Sequence, residues 1–288
     1  MIVKKVNEVF RNPTYEEIFY CLCFYNLNGQ IKNNSFINVV SDICSKYAIP
    51  IKSIDWEVEG NYGRSSLDGF LNKIESGEID IENVSGIAIY SSVLQKNAYD
   101  AYVIFSYGQE SQGNDYLFVA IADMVIDWAS FEDLFCQYAK KISAFVKIPY
   151  GIGFSSSVSE GGATSDFPIK SCSLGMLDED AGNWYENYRG VKPPWVPKPG
   201  QGKESLHLHG KFRHIYRINL IGKKHIDAVI DGIRLEQWIT SSDDRGKLVN
   251  IDDDTFVWIT NEKNLLEIQK TMHRNRLLIS VKSNRAIP

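Results

Sequence analysis

At 288 residues the chain has room for one large domain or two modest ones, and its 44% hydrophobic and 12% aromatic content excludes a disordered or low-complexity chain. The formal charge is −5, and no apolar run reaches the roughly 18–20 residues of a membrane helix. Residues 1–8 hold no apolar signal core, and five scattered cysteines are not a disulfide framework, so the expected location is a reducing cytoplasm.

Residues 18–25 are an unbroken apolar and aromatic run closed by Asn28-Gly29, which reads as a central strand covered on both faces. Ser35 then caps a helix whose Phe36, Val39, Val40, Ile43 and Tyr47 recur at helical spacing, and Pro50 ends it. A short strand at 54–58 precedes a second amphipathic helix carrying Leu67, Phe70, Leu71 and Ile74, entered through Ser65 with Asp68 three residues on. Strands follow at 86–92, 101–108 and 116–123, with a polar hairpin loop at 109–114. Ser130 and Asp133 make a capping-box pattern for a helix with Phe131, Leu134, Phe135, Tyr138, Ile142 and Phe145 on one stripe. A strand returns at 148–154.

Residues 155–205 change character. Serine and glycine dominate 155–162, and four of the nine prolines fall within 191–200. Proline lacks the amide donor, so this stretch is a linker or an extended arm. Order resumes with a strand at 211–219 and a helical pattern over 225–239, read as one helix broken at Gly232 or as two short ones. A hairpin of 247–251 and 255–260 surrounds Asp252-Asp253-Asp254, followed by a helix at 262–273 and a strand at 276–282. The order strand, helix, strand occurs over 116–154 and again over 255–282, which suggests two related β-α-β-containing halves despite poor residue identity. The expected fold is α+β, with mixed or antiparallel sheets and packed helices. It divides into an N-terminal α+β region (1–155), a Gly/Ser/Pro-rich connector (156–205) and a C-terminal α+β region (206–288).

Charge is unevenly placed. Residues 1–187 carry 13 Lys/Arg and 25 Asp/Glu, a net of −12, whereas 188–225 carry nine bases and one acid. Such asymmetry speaks of partners and steering rather than fold. The basic segment docks on the protein's own acidic half or meets an anionic partner, and the sequence leaves that choice open. With Trp195, Phe212 and Tyr216 among its cations, it has the make-up of a single-strand nucleic-acid site built on Arg189, Lys192, Lys198, Lys203, Lys211, Arg213 and Arg217. A pI near 5.6 weighs against a dedicated nucleic-acid binder.

Other candidate chemistry is weaker. His207 and His209 face one side if 207–209 is a strand, and with His214, His225 and Glu204 nearby they are the metal candidates. The third converging ligand that a site needs is not marked by any spacing. Cys21 and Cys23 share a strand face, where paired thiols in an aromatic run are buried small hydrophobes. Gly151 and Gly153 give a G-x-G without the third glycine of a dinucleotide fingerprint, and the aspartates at 252–254 lack calcium-loop spacing. No catalytic residue and no cofactor is expected.

The stretch Arg213-His214-Ile215-Tyr216-Arg217-Ile218-Asn219-Leu220-Ile221, with Asp231-Gly232-Ile233-Arg234-Leu235-Glu236-Gln237-Trp238-Ile239, Gly246-Lys247-Leu248, Thr255-Phe256-Val257-Trp258-Ile259 and Arg276-Leu277-Leu278-Ile279, resembles small bacterial α+β proteins encoded beside toxins. These belong to the broad group of polymorphic-toxin and type VI secretion immunity proteins. The resemblance spans about 211–282 and rests on hydrophobic patterns. It implies a non-enzymatic, cytoplasmic protein that binds and neutralises a cognate toxin. Trp184, Tyr185, Tyr188 and Trp195 would then be interface anchors, if they do not simply pin the loop to the body. The alternatives are a nucleic-acid-handling subunit of a bacterial defence complex using 188–225, and a metal-dependent hydrolase around His207 and His209. No membrane partner is expected, and oligomeric state is open.

Overall fold

The computed structural model describes residues 18–25, 27, 31–91, 102–108, 116–157, 210, 212 and 215–278. The fold is α+β, and the strand pairings given below are all antiparallel. The chain divides into two compact units.

The first unit contains β1 (Ile18–Tyr25, through Cys23), β2 (Ser53–Val58), β3 (Asn61–Ser65), β4 (Val84–Tyr90), β5 (Val103–Gly108) and β6 (Tyr116–Ala122), with helices α1 (Asn33–Lys46), α2 (Leu67–Glu75) and α3 (Trp128–Ser143). Its strand order is β1-β6-β5-β4-β2-β3, which leaves β3 at the edge. Pairing is antiparallel between β2 and β3, β2 and β4, β4 and β5, and β5 and β6. The period-2 rule sorts this sheet into two faces. On one, Trp56, Ile87, Tyr107 and Leu117 lie in a row, beside a row of Ile54, Ile89, Phe105 and Val119. All three described helices of the unit pack there: Phe70 of α2 on Trp56 (centroids 5.0 Å apart), Phe36 of α1 on Tyr107 (5.9 Å) and Tyr138 of α3 on Phe105 (6.2 Å). Each aromatic buried in this way removes a large apolar surface from water, and this face is the core of the unit.

Helices α1 and α3 are also tied through polar groups. Asp133 accepts hydrogen bonds from the Tyr47 hydroxyl (2.8 Å), Lys46 (3.3 Å) and Gln137 (2.6 Å), and Lys141 pairs with Asp42 (2.8 Å).

Local details correct the sequence reading. Helix α1 begins at Asn33, before Ser35, and the Asn33 amide donates to the Ile81 (2.7 Å) and Val84 (2.9 Å) carbonyls, so a tertiary anchor rather than a serine cap sets its start. Ser66, not Ser65, caps α2 by accepting from the Gly69 N–H (3.1 Å). Asp127 caps α3 by accepting from the Ser130 N–H (2.7 Å), which places Ser130 inside the first turn. Strand β3 was not expected. It holds Asn61, Gly63 and Arg64, pairs with a neighbour on one side only, and so lacks the apolar alternation that marks a buried strand.

The second unit contains β7 (Tyr150–Ser157, through Phe154), β8 (Ile218–Gly222), β9 (Val229–Ile230), β10 (Ile233–Arg234), β11 (Lys247–Asn250) and β12 (Thr255–Ile259), with α4 (Lys223–Ile226), α5 (Leu235–Thr240) and α6 (Leu265–Arg274). Its strands run β11-β12-β8-β7, and β9 and β10 form a separate hairpin. The helical pattern expected over 225–239 is this hairpin between two short helices. Asp231 (φ 47°) and Gly232 (φ 88°) both take positive φ, the backbone of a two-residue primed turn. Asp-Gly is the sequence sign for that turn, and it outweighs the apolar periodicity of Ile226, Val229, Ile230 and Ile233. The strand expected at 211–219 is instead Ile218–Gly222, and Phe212 makes an isolated parallel bridge to Leu278. The hairpin around Asp252-Asp253-Asp254 forms as expected, with Lys247 opposite Ile259. Residues 158–205 of the expected connector lie outside the described residues.

Candidate functional site

Most of the sequence candidates lie outside the described residues: Trp184, Tyr185, Tyr188, Trp195, Arg189, Lys192, Lys198, Lys203, Lys211, Arg213, His207, His209 and His214. Arg217 is described. It is half-buried beside β8 and pairs with Glu262 (3.2 Å). His225 is buried in α4 between Tyr150 (5.6 Å, stacked) and Phe212 (5.0 Å, edge-on), and its Nδ1 accepts from the Gly222 N–H (3.3 Å). Among the described residues no group of His, Cys, Asp and Glu converges as a metal site, and no helix is long and apolar enough to cross a membrane.

Cys21, Cys23 and Cys44 are buried as small hydrophobes. Burial pushes the Cys21 thiol up, with a smaller contribution from Cys23, and carries Cys44 up to about 12. A thiol held protonated in this way is a poor nucleophile. Asp252 accepts from the Asp254 N–H (2.9 Å), which makes the acidic run a self-satisfied turn.

A different set of residues converges on the first unit, on the face of the sheet opposite the helices. The register places Tyr62, Glu57, Gly86, Gly108 and Tyr116 in one row across β3, β2, β4, β5 and β6. The next row is Arg64, Asp55, Ala88, Ser106 and Phe118. Small residues on β4 and β5 make the floor of these rows, which is half-buried at Gly86 and Ala88 and fully buried at Gly108, Ser106 and Phe118. The Tyr116 ring folds over Gly108, where a Cβ would sit 2.6 Å from its hydroxyl oxygen, and a Cβ on Gly86 would lie 3.9 Å from Glu57 Oε2. The Glu57 carboxylate therefore reaches over the floor. Tyr62 is 82% exposed at the sheet edge.

The charges here are unequal in how they are used. Arg64 makes a bidentate pair with Asp55 (2.6 and 2.7 Å), and the Tyr90 hydroxyl approaches the same carboxylate at 3.4 Å. Burial, and then the Asp55 charge, push the Tyr90 phenol well above its ordinary value, so it stays a neutral donor. Residues 55–82 carry eight acids and two bases, and both bases, Arg64 and Lys73, are engaged with acids of the same segment, Asp55 and Glu78. Glu57 is half-buried and has no ion-pair partner among the described residues. Ser106 Oγ is buried on the same face, without a hydrogen-bond partner among the described residues. Sequence reasoning passed over Glu57 and Tyr62. The available signals were the alternation of 53–58, the Glu59-Gly60 turn after it, and the density of acids over 55–82.

No family model and no curated protein matches this chain. Among solved structures, the Pseudomonas aeruginosa T6SS protein PA0821 is similar, with a TM-score of 0.54 and 8% identity, over 94% of this chain and 77% of that one. At that identity the likeness is one of fold.

Proposed function

We propose that this chain is a bacterial interaction protein of the T6SS setting that binds and neutralises a cognate toxin, without catalysis of its own. The observation that carries the reading is the fold shared over 94% of the chain with a T6SS protein. The sequence resemblance of 211–282 to immunity proteins points the same way. So does the excess of acids over bases in residues 1–187, because an acidic surface speeds capture of a basic partner and supplies complementary charge.

The test is affinity capture of the tagged protein from its native host, with and without nuclease, followed by co-expression with each captured protein. A stoichiometric partner that survives nuclease, arrests growth alone and is harmless when co-expressed is the expected result. Nucleic acid in the eluate without such a partner overturns the reading in favour of the basic segment 188–225.

A further inference from the structure

We propose that Asp231-Gly232, at the tip of the β9–β10 hairpin, is a site of isoaspartate formation whose rate is set by a clamp from Asn275 and Arg274. Two Asp-Gly steps occur in the sequence, at 68–69 and at 231–232, and the fold treats them differently. An aspartate followed by glycine is open to attack on its own side chain, because glycine puts no Cβ in the way of its backbone nitrogen. Gly69 lies in the first turn of α2, where its N–H donates to Ser66 Oγ (3.1 Å) and the helix fixes the backbone. The Asp231-Gly232 turn is exposed, nothing lies within 4 Å of a Cβ placed on Gly232, and its N–H donates no hydrogen bond among the described residues.

The chemistry balances without a co-reactant. The Gly232 nitrogen attacks Asp231 Cγ of the protonated carboxyl. The N–Cγ bond forms, the Cγ–O bond breaks, and the hydroxyl leaves as water with the amide hydrogen. Water then opens the five-membered imide. Opening at Cγ restores aspartate, and opening at the Asp231 main-chain carbonyl gives isoaspartate, with no net change of mass. The product carries one extra methylene in its backbone, so it no longer matches the primed turn that joins the two strands.

What holds this back is the end of α6. Asn275 Oδ1 accepts from the Asp231 N–H (3.1 Å), and Asn275 Nδ2 donates both to Asp231 Oδ1 (3.1 Å) and to the Thr271 carbonyl (3.0 Å). One amide group thus keeps the carboxyl beside the N–H of its own residue instead of over the Gly232 nitrogen, and the helix keeps that amide in place. Arg274 Nη2 donates to Oδ2 (3.3 Å), so both carboxylate oxygens are held, and one must be released before it can leave.

The test ages the full chain at pH 7.4 and 37 °C. Isoaspartate is read by enzymatic methylation of its free α-carboxylate and is placed by electron-transfer fragmentation of peptides. Wild type should form it at 231, more slowly than the same chain in urea, and should form none at 68 while folded. Asn275→Ala should speed the reaction at 231 about five- to tenfold, the rate equivalent of one lost hydrogen bond. Arg274→Gln, whose parent side chain is 67% exposed, should speed it less and leave the unfolding midpoint unchanged, which separates release of the clamp from general loosening. Lys270→Gln, on the same helix and away from the turn, should have no effect. Equal rates in wild type and both clamp variants, no isoaspartate at 231 in a folded chain when the urea sample forms it, or Asp68 reacting in step with Asp231 overturns the inference.

Discussion

Gly246 and Gly60 both take positive φ (89° and 79°), yet their surroundings differ. A Cβ on Gly246 would sit 2.1 Å from the Ile259 carbonyl oxygen, a backbone atom that cannot step aside, whereas nothing lies within 4 Å of a Cβ on Gly60. Gly246→Ala is therefore expected to cost at least about 2 kcal/mol and Gly60→Ala only about 1 kcal/mol, read as the shift of the urea midpoint. Equal shifts would refute the steric account. Asp133 offers a second residue-level test. Burial works to raise its pKa, but hydrogen bonds from Gln137, Tyr47 and Lys46 together outweigh it and hold the carboxyl below its ordinary value. A lowered folded pKa stabilises the protein above the unfolded value of about 3.9, and the contribution is lost as pH falls through the folded value. Asp133→Asn should thus destabilise at pH 7 and lose that penalty towards pH 3, measured as the difference in midpoints across pH. The carboxylate is half exposed, so the effect should stay below about 1 kcal/mol.

At the scale of elements, β8 depends on one buried amide. Asn219 Oδ1 accepts from the Tyr216 N–H (3.0 Å) and its Nδ2 donates to the Tyr216 carbonyl (2.7 Å), closing the backbone just before the strand. Thr260 Oγ1 donates to the same carbonyl (3.0 Å). Asn219→Ala removes both side-chain bonds in a fully buried place and is expected to cost about 1–3 kcal/mol, with Asn219→Asp sparing the bond from the Tyr216 N–H but not the other. Urea midpoints of the two variants check this. Elements of this kind explain what the sequence did and did not disclose. Strands β1, β4, β5 and β6 were legible because their apolar runs are long, and α3 because its stripe is clean. The cap of α2 was missed by one residue because Ser65 and Ser66 are both good caps, and only the Ser66 oxygen faces the Gly69 N–H. The β9–β10 hairpin was hidden because its apolar residues also fit a helical period, and only Asp231-Gly232 tells the two apart. The Tyr62–Glu57 pair was invisible in another way: the two residues are five apart in sequence and become neighbours only through the register of an edge hairpin.

At the scale of the whole molecule, charge decides what kind of partner the protein meets. The net of −12 over residues 1–187 is far larger than the −5 of the chain, because the basic segment 188–225 offsets it. Exposed acids more than about 8 Å apart act on one another weakly at physiological salt, so they stabilise little, but their summed field still accelerates encounter with a cation. The partner of the proposed function should therefore bind with an association rate that falls steeply as salt rises from 50 to 500 mM, while the dissociation rate changes much less. Surface plasmon resonance with the captured partner reads both rates. Glu75→Gln/Asp80→Gln/Glu82→Gln, on the helix side of the first unit and away from the Tyr62 face, should lower the association rate and leave dissociation nearly unchanged. If salt and these three substitutions act on dissociation alone, steering is not the role of the acidic surface, and a partner without net positive charge has to be considered.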